Sequence, residues 1–308
     1  MSHQYQICYF PYLSLKDTES VKFHNFTVWN FSKLRTNRIK DKALREYITI
    51  LLHSNVINNK PIEGIGIISK KDKDDFSILN DSQIKQIDEL KAVLFLVAVS
   101  RNNIHGFDHA GFMMFTAENF NVIYQNFKLN SKHTSYSTGR IVNITTGGYK
   151  VGKIKFEKPK HVLSPNFKYD EKLLDAVEIL KIKNQRFFRI IIRATDAFMN
   201  GYKNSDDVSS ESRILEQSRA FEILFNLPER SQRKEFKDRI EKYCSLKDER
   251  KRRYKSERPN NRRVWEIGTK QKMWADRFYT LRNHIIHGQP LKDNEFIFCG
   301  QRHHDIAL

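Results

Sequence analysis

Cysteine is scarce in this chain: three in 308 residues, Cys8, Cys244 and Cys299, odd in number and widely spaced. They offer neither a disulfide framework nor the paired spacing of a zinc site, and they suit a reducing cytosol. Long apolar runs are missing too. The longest, Ala92 to Val99, spans eight residues, against the ~20 that a membrane helix needs. The opening MSHQYQICYF lacks a basic stretch followed by an apolar one, so no signal peptide is expected and the expected location is cytoplasmic. No repeat or low-complexity tract occurs. Acidic residues are in deficit, 36 Asp and Glu against 54 Lys and Arg, which leaves a formal net charge of +18. Core material is plentiful: 39% of residues are hydrophobic and 22 are Phe, which excludes a disordered chain. The charge favours a polyanionic partner, and the length suggests two domains at roughly 100–200 residues each.

A change of hydrophobic period near Pro159 and Pro165 places the division at about 165. The expected fold class is α+β: a mixed α/β N-terminal domain over 1–165, followed by an all-α helical bundle over 166–308. The basic excess of the C-terminal part is local. Residues 230–263 hold 15 basic and 6 acidic residues, a net of +9 that equals the net of the whole C-terminal part. Arg250, Lys251, Arg252, Arg253, Lys255, Arg258, Arg262 and Arg263 form its densest stretch, with Tyr254 among them. Such a cluster can neutralise several phosphates and gain affinity by counterion release. It could equally be a solvated loop between helices.

In the N-terminal part, β-branched and aromatic content predicts strands over 5–13, 25–31, 64–69, 92–99, 111–116 and 139–157, with a hairpin turn at Gly147–Gly148. Helices are expected over 35–53 and 82–91. Gly147, Gly152 and Lys153 fit part of a phosphate-binding loop, but Ile154 stands where a magnesium-holding Ser or Thr is needed. Gly64 and Gly66 supply only half a dinucleotide fingerprint. His105, Asp108 and His109 lack a fourth partner at metal spacing and read as a turn. The ligand or regulatory partner of this domain stays open.

The C-terminal part turns helical. Asp170 can cap a helix carrying Leu173, Val177 and Leu180; Phe187, Ile191, Ala194 and Phe198 continue the pattern to Gly201. Ile214, Phe221 and Phe225 mark a third helix, a basic one follows over 229–245, and the last spans 271–287 with Gly288 at C′. In that last helix Trp274, Phe278, Leu281 and Ile285 form one stripe. At about 100° per residue, Tyr279, Arg282, Asn283, Ile286 and His287 fall on a second face. A mixed polar and apolar face of this kind wants a partner or a substrate, although Arg, Asn and His near a helix end can also cap carbonyls and complement the dipole.

Arg282-Asn283-His284-Ile285-Ile286-His287 matches R-N-x-x-x-H, and with it the chain resembles the HEPN ribonucleases, in particular the Apea-like branch. The preceding aromatics, the terminal His-Gly and an earlier helix with SRAFEILFNL and Glu222 extend the likeness over about 170–290. Gln289 stands where toxins paired with nucleotidyltransferases carry a tyrosine, and Arg101 to His105 is one residue too short for the motif. The resemblance implies a HEPN-like bundle acting as an endoribonuclease in antiphage defence or growth arrest. Two copies would meet across a homodimer cleft that includes Tyr279 and Ile286. Arg282, Asn283 and His287 would be catalytic, with Glu222 orienting the Arg or the His. RNA, with transfer RNA a candidate, would be cut by its own 2′-OH without metal or cofactor. A histidine can exchange the proton and an arginine can hold the charged phosphorane oxygens. The alternative is a non-catalytic nucleic-acid-binding protein built on 230–263, or a module docking an acidic protein.

Overall fold

The computed structural model describes residues 4–33, 39–70, 76–102, 116–129, 134–137, 143–146, 155–160, 162, 167–203, 208–245, 249–258 and 262–307. Contacts divide the chain into two compact units, Met1–Gln185 and Arg186–Leu308. The first is mixed β/α and the second is mostly helical.

The first unit contains β1 (Gln4–Ser14), β2 (Ser20–Phe23), β3 (Phe26–Asn30), α1 (Lys42–Leu52), β4 (Asn55–Ile57), β5 (Lys60–Pro61) and β6 (Ile65–Lys70). Then come α2 (Asp81–Asn102), β7 (Ile123–Lys128), β8 (Thr134–Ser137), β9 (Asn143–Thr146), β10 (Phe156–Glu157) and α3 (Glu171–Lys183). Seven strands form one antiparallel sheet in the order β2-β3-β6-β1-β7-β8-β9, with β1 paired to β6 and β7. Its apolar side chains, among them Ile7, Tyr9 and Ile67, close on Ile48 and Leu51 of α1, which Asp41 caps by accepting from Leu44 N–H.

Residues 92–99, expected as a strand, lie in α2 together with 82–91. A wholly apolar run carries no period that separates helix from strand. No breaker interrupts IKQIDELKAVLFLVAV, so the helix propagates, burying Val93, Leu94 and Phe95 alike. Gly64 turns at φ +70 and Gly66 sits in β6, where a Cβ would come within 3.0 Å of Val28. Both serve sheet geometry rather than a nucleotide. Residues 103–115, including His105, Asp108 and His109, lie outside the described residues, as do Gly147, Gly148, Gly152 and Lys153.

The division falls at Gln185/Arg186 rather than near 165, because α3 is tied to the first unit. Asp170 N–H donates to Val97 O at 3.0 Å, Lys181 pairs with Glu89 at 2.9 Å, and the same ammonium lies 5.2 Å from the Phe23 ring.

The second unit consists of α4 (Gln185–Gly201), α5 (Ser210–Phe225), α6 (Gln232–Cys244), β11 (Arg252–Arg258), β12 (Arg262–Gly268), α7 (Lys270–Ile286), β13 (Ile297–Phe298), β14 (Gln301–Arg302) and α8 (His303–Ile306). It is not all-α: β11 and β12 form a long antiparallel hairpin between α6 and α7. An aromatic core joins Phe221, Phe236, Trp274 and Phe278, with ring centroids 5.1–6.3 Å apart. On α4 the buried set includes Phe188, Ile192, Ala194, Thr195, Ala197 and Met199; of the expected stripe Ala194 is buried, whereas Phe187 is exposed and its neighbour Phe188 takes the core position. Gly201 ends α4 where a Cβ would lie 2.9 Å from the Arg213 carbonyl oxygen of α5. Gly201→Ala is therefore expected to destabilise the protein by about 1–3 kcal/mol despite alanine's better helix propensity, because backbone must move to admit the methyl. A melting temperature equal to or above the parent would contradict that close approach.

Candidate active site and nucleic-acid interface

Thr269 starts α7 by accepting from Lys272 N–H, and the stripe of Trp274, Phe278 and Leu281 is buried as the period requires. The helix closes in a Schellman motif. Gly288 at φ +62 donates to Ile285 O, and Gln289 N–H donates to His284 O at 2.9 Å. This closure fixes the last turn, which carries Arg282, Asn283, His284 and His287.

Arg282 reaches across to α5, where its Nη2 lies 2.9 Å from Glu222 Oε1. Its Nη1 donates to Asn283 Oδ1 at 3.0 Å, and the guanidinium lies 5.1 Å from the Tyr279 ring centroid. Glu222 therefore sits where it can orient the Arg, and Asn283 grips the same guanidinium. Arg282 Nε is buried with no hydrogen-bond partner among the described residues. Tyr279 is not on a free face. It is 4% exposed, packs on Phe236 and donates its hydroxyl to Gln232 Oε1 at 2.7 Å. Burial, helped by the negative charge of Glu222 and opposed by Arg282, pushes that hydroxyl up to about 12. It stays a neutral donor at physiological pH and supplies a platform, not a base.

His287 occupies the C-cap, exposed, with its backbone N–H on Asn283 O at 3.0 Å. Its imidazole has no partner among the described residues. It lies five positions after Arg282, about 140° around the helix. The described contacts within one chain do not bring the two side chains together. His284, inside the same motif, is better surrounded. Its ring nitrogens lie 3.7 Å from Glu295 and 3.9 Å from Glu257, and it lines an open cleft of about 370 Å³ with Arg263, Gln289 and Pro290. Its carboxylate neighbours come from distant segments, so the motif gave no hint of them. Among the described residues no three His, Cys, Asp or Glu side chains converge to hold a metal ion.

The basic segment is part helix and part hairpin, and its two halves differ. On α6, Arg233 pairs with Asp276 at 3.0 Å, and Lys237, 3% exposed, reaches Asp276 at 3.0 Å and Glu266 at 2.7 Å. Ser256 and Tyr254 of β11 donate to the same two carboxylates at 3.1 and 3.0 Å. These α6 cations are consumed inside the fold and hold the hairpin against α7. The hairpin's own cations face solvent: Arg250, Lys251, Arg252, Arg253, Lys255, Arg262 and Arg263 are exposed, with Lys251 3.8 Å from Glu241 and Arg253 and Lys255 lying over the Trp265 ring. Strand alternation directs Tyr254 and Ser256 inward and the opposed pairs Arg253–Ile267, Lys255–Trp265 and Glu257–Arg263 outward. Trp265 was not singled out from sequence. The available signal was the apolar V-W-E-I segment after Asn260–Asn261, which reads as the returning strand of a hairpin.

Compared with protein-family models, with curated proteins and with solved structures, the chain matches none. Among the described residues no helix is long and apolar enough to cross a membrane.

Proposed function

We propose that this protein is a metal-independent endoribonuclease of the HEPN type, whose site is completed when two copies meet. One observation carries the reading. Arg282 is held in place by Glu222, Asn283 and Tyr279, while His287 stands exposed at the end of the same helix, its imidazole without a partner among the described residues. A held cation suits stabilisation of developing phosphorane charge, and a free imidazole suits proton exchange. The half-exposed Ile286 beside His287 gives a second copy an apolar contact. In the reaction the 2′-oxygen bonds to phosphorus as the P–O5′ bond breaks. A proton leaves the 2′-OH and another reaches the leaving 5′-oxygen, giving a 2′,3′-cyclic phosphate and a 5′-hydroxyl. The exposed hairpin cations would hold neighbouring phosphates. The resemblance to HEPN ribonucleases makes antiphage defence or growth arrest the setting of this proposal, with transfer RNA a candidate target.

The decisive experiment incubates the full chain with cellular RNA in excess EDTA and maps the fragment ends. Cyclic phosphate and 5′-hydroxyl termini are expected at unchanged rate. Loss of cleavage in EDTA, or 5′-phosphate ends, would overturn the mechanism. His284→Ala run in parallel tells which imidazole transfers the proton. A second reading, nucleic-acid binding without cleavage, draws on the commitment of Arg282 to Glu222. RNA bound but left intact would favour it.

A further inference from the structure

The outward face of the β11–β12 hairpin carries a feature that phosphate binding alone does not use. Trp265 is 56% exposed and Ile267 61% exposed, on β12 at two of the three positions that alternate outward. A large aromatic with over half its surface in water loses burial energy, so the exposure wants an occupant. Two cations from β11 lie over the indole, the Arg253 guanidinium 5.1 Å and the Lys255 ammonium 5.2 Å from the ring centroid, and still leave more than half of the side chain exposed. An apolar occupant, such as a second copy's core-like face, would have to desolvate both cations together with exposed Arg263. An occupant with a flat ring and a negative charge close by would use all of them.

We propose that this face is a stacking platform for single-stranded RNA, with an unpaired base on Trp265 and its flanking phosphates on Arg253, Lys255 and Arg263. Three further observations support the assignment. The platform is rigid, because the opposite face is locked by Ser256 and Tyr254 onto Asp276 and Glu266, so little order has to be created on binding. It is continuous with the cleft, since the last outward pair, Glu257 and Arg263, lines the same space as His284. The order along the strands therefore runs from base platform to phosphate cation to imidazole. Strandedness follows from geometry: in a duplex both faces of every base are already stacked, whereas an exposed indole can take only a base that has been freed. The inference deepens the ribonuclease reading by naming its substrate as unpaired RNA, and it rests on that reading only for the fate of the bound strand.

The test uses the full chain and a 2′-O-methyl oligouridine twelve-mer, which lacks the attacking hydroxyl, beside a duplex of equal length. The single strand should bind more tightly and quench tryptophan emission. Trp265→Ala should weaken binding by roughly 5- to 150-fold and abolish most of the quenching, with the log K against log salt slope unchanged. Trp265→Phe should recover part of the affinity, and a melting scan checks that both variants fold. Arg253→Gln should instead flatten the slope by about 0.7, the share of one phosphate contact. Equal binding by the parent and Trp265→Ala would overturn the platform, as would a duplex preferred to the strand. So would binding to anionic phospholipid vesicles with none to the oligonucleotide. Stacking without any RNA cleavage keeps the platform and removes the ribonuclease reading, whereas cleavage with unaltered Trp265→Ala binding does the reverse.

Discussion

His287→Ala is expected to lower RNA cleavage by about 10²- to 10⁴-fold, the usual contribution of a positioned proton-transfer group, with the melting temperature almost unchanged. The second half follows from its place: the imidazole is exposed at a helix C-cap, and the Schellman closure uses backbone groups and Gly288 rather than the ring. Surface changes of this kind stay within about 0.5 kcal/mol. Mixing this variant with Arg282→Ala separates a shared site from a single-chain one. Each variant alone should be inactive, while the mixture should regain a fraction of the parent rate through heterodimers with one intact Arg–His combination. A mixture as dead as its components, or a strictly monomeric and fully active parent in light scattering, would remove the dimeric site.

The largest stability effect is expected at Asp276. This carboxylate, 2% exposed, holds Arg233, Lys237 and Ser256 together. Asp276→Ala leaves Arg233 and the Ser256 hydroxyl without their acceptor and Lys237 with Glu266 alone. Breaking a buried pair in this way costs about 3–5 kcal/mol, equivalent to roughly 10–20 °C of melting temperature for a unit of this size. Asp276→Asn, which keeps an acceptor oxygen for Arg233 and the Ser256 hydroxyl but not the charge, should recover part of that loss. Denaturant unfolding of both variants checks the order; an Asp276→Ala loss below about 1 kcal/mol would show that the network is solvated. The loosened hairpin should also lose affinity for RNA.

The helices from α3 onward were legible where their caps and stripes are local. Asp170, the Trp274–Phe278–Leu281 stripe and Gly288 all stand where their residue types predict. What failed was non-local. The run 92–99 took its state from the helix preceding it, and the arginine-rich strand R-R-Y-K-S-E-R became a strand only through its pairing with R-R-V-W-E-I-G. Low intrinsic β propensity of Lys and Glu hid it. Phe187 and Tyr279 show the limit of period arithmetic: a stripe gives the spacing of a face but not the angle at which neighbours cover it. At the site, the motif named Arg282, Asn283 and His287, whereas the surroundings of His284 depend on Glu257 and Glu295, which only folding brings near.

The attachment of α3 to the first unit bears on how the two halves can be separated. A fragment beginning just after Pro165 would carry α3 away from Glu89, Phe23 and the Val97 carbonyl that hold it, stranding Leu174 and Val177 in water at its leading end. A fragment beginning near Gln185 instead starts at the first turn of α4, and its complement ends on a helix that is already docked. Activity tests on the helical half alone would then report on the proposed site rather than on a frayed leading helix.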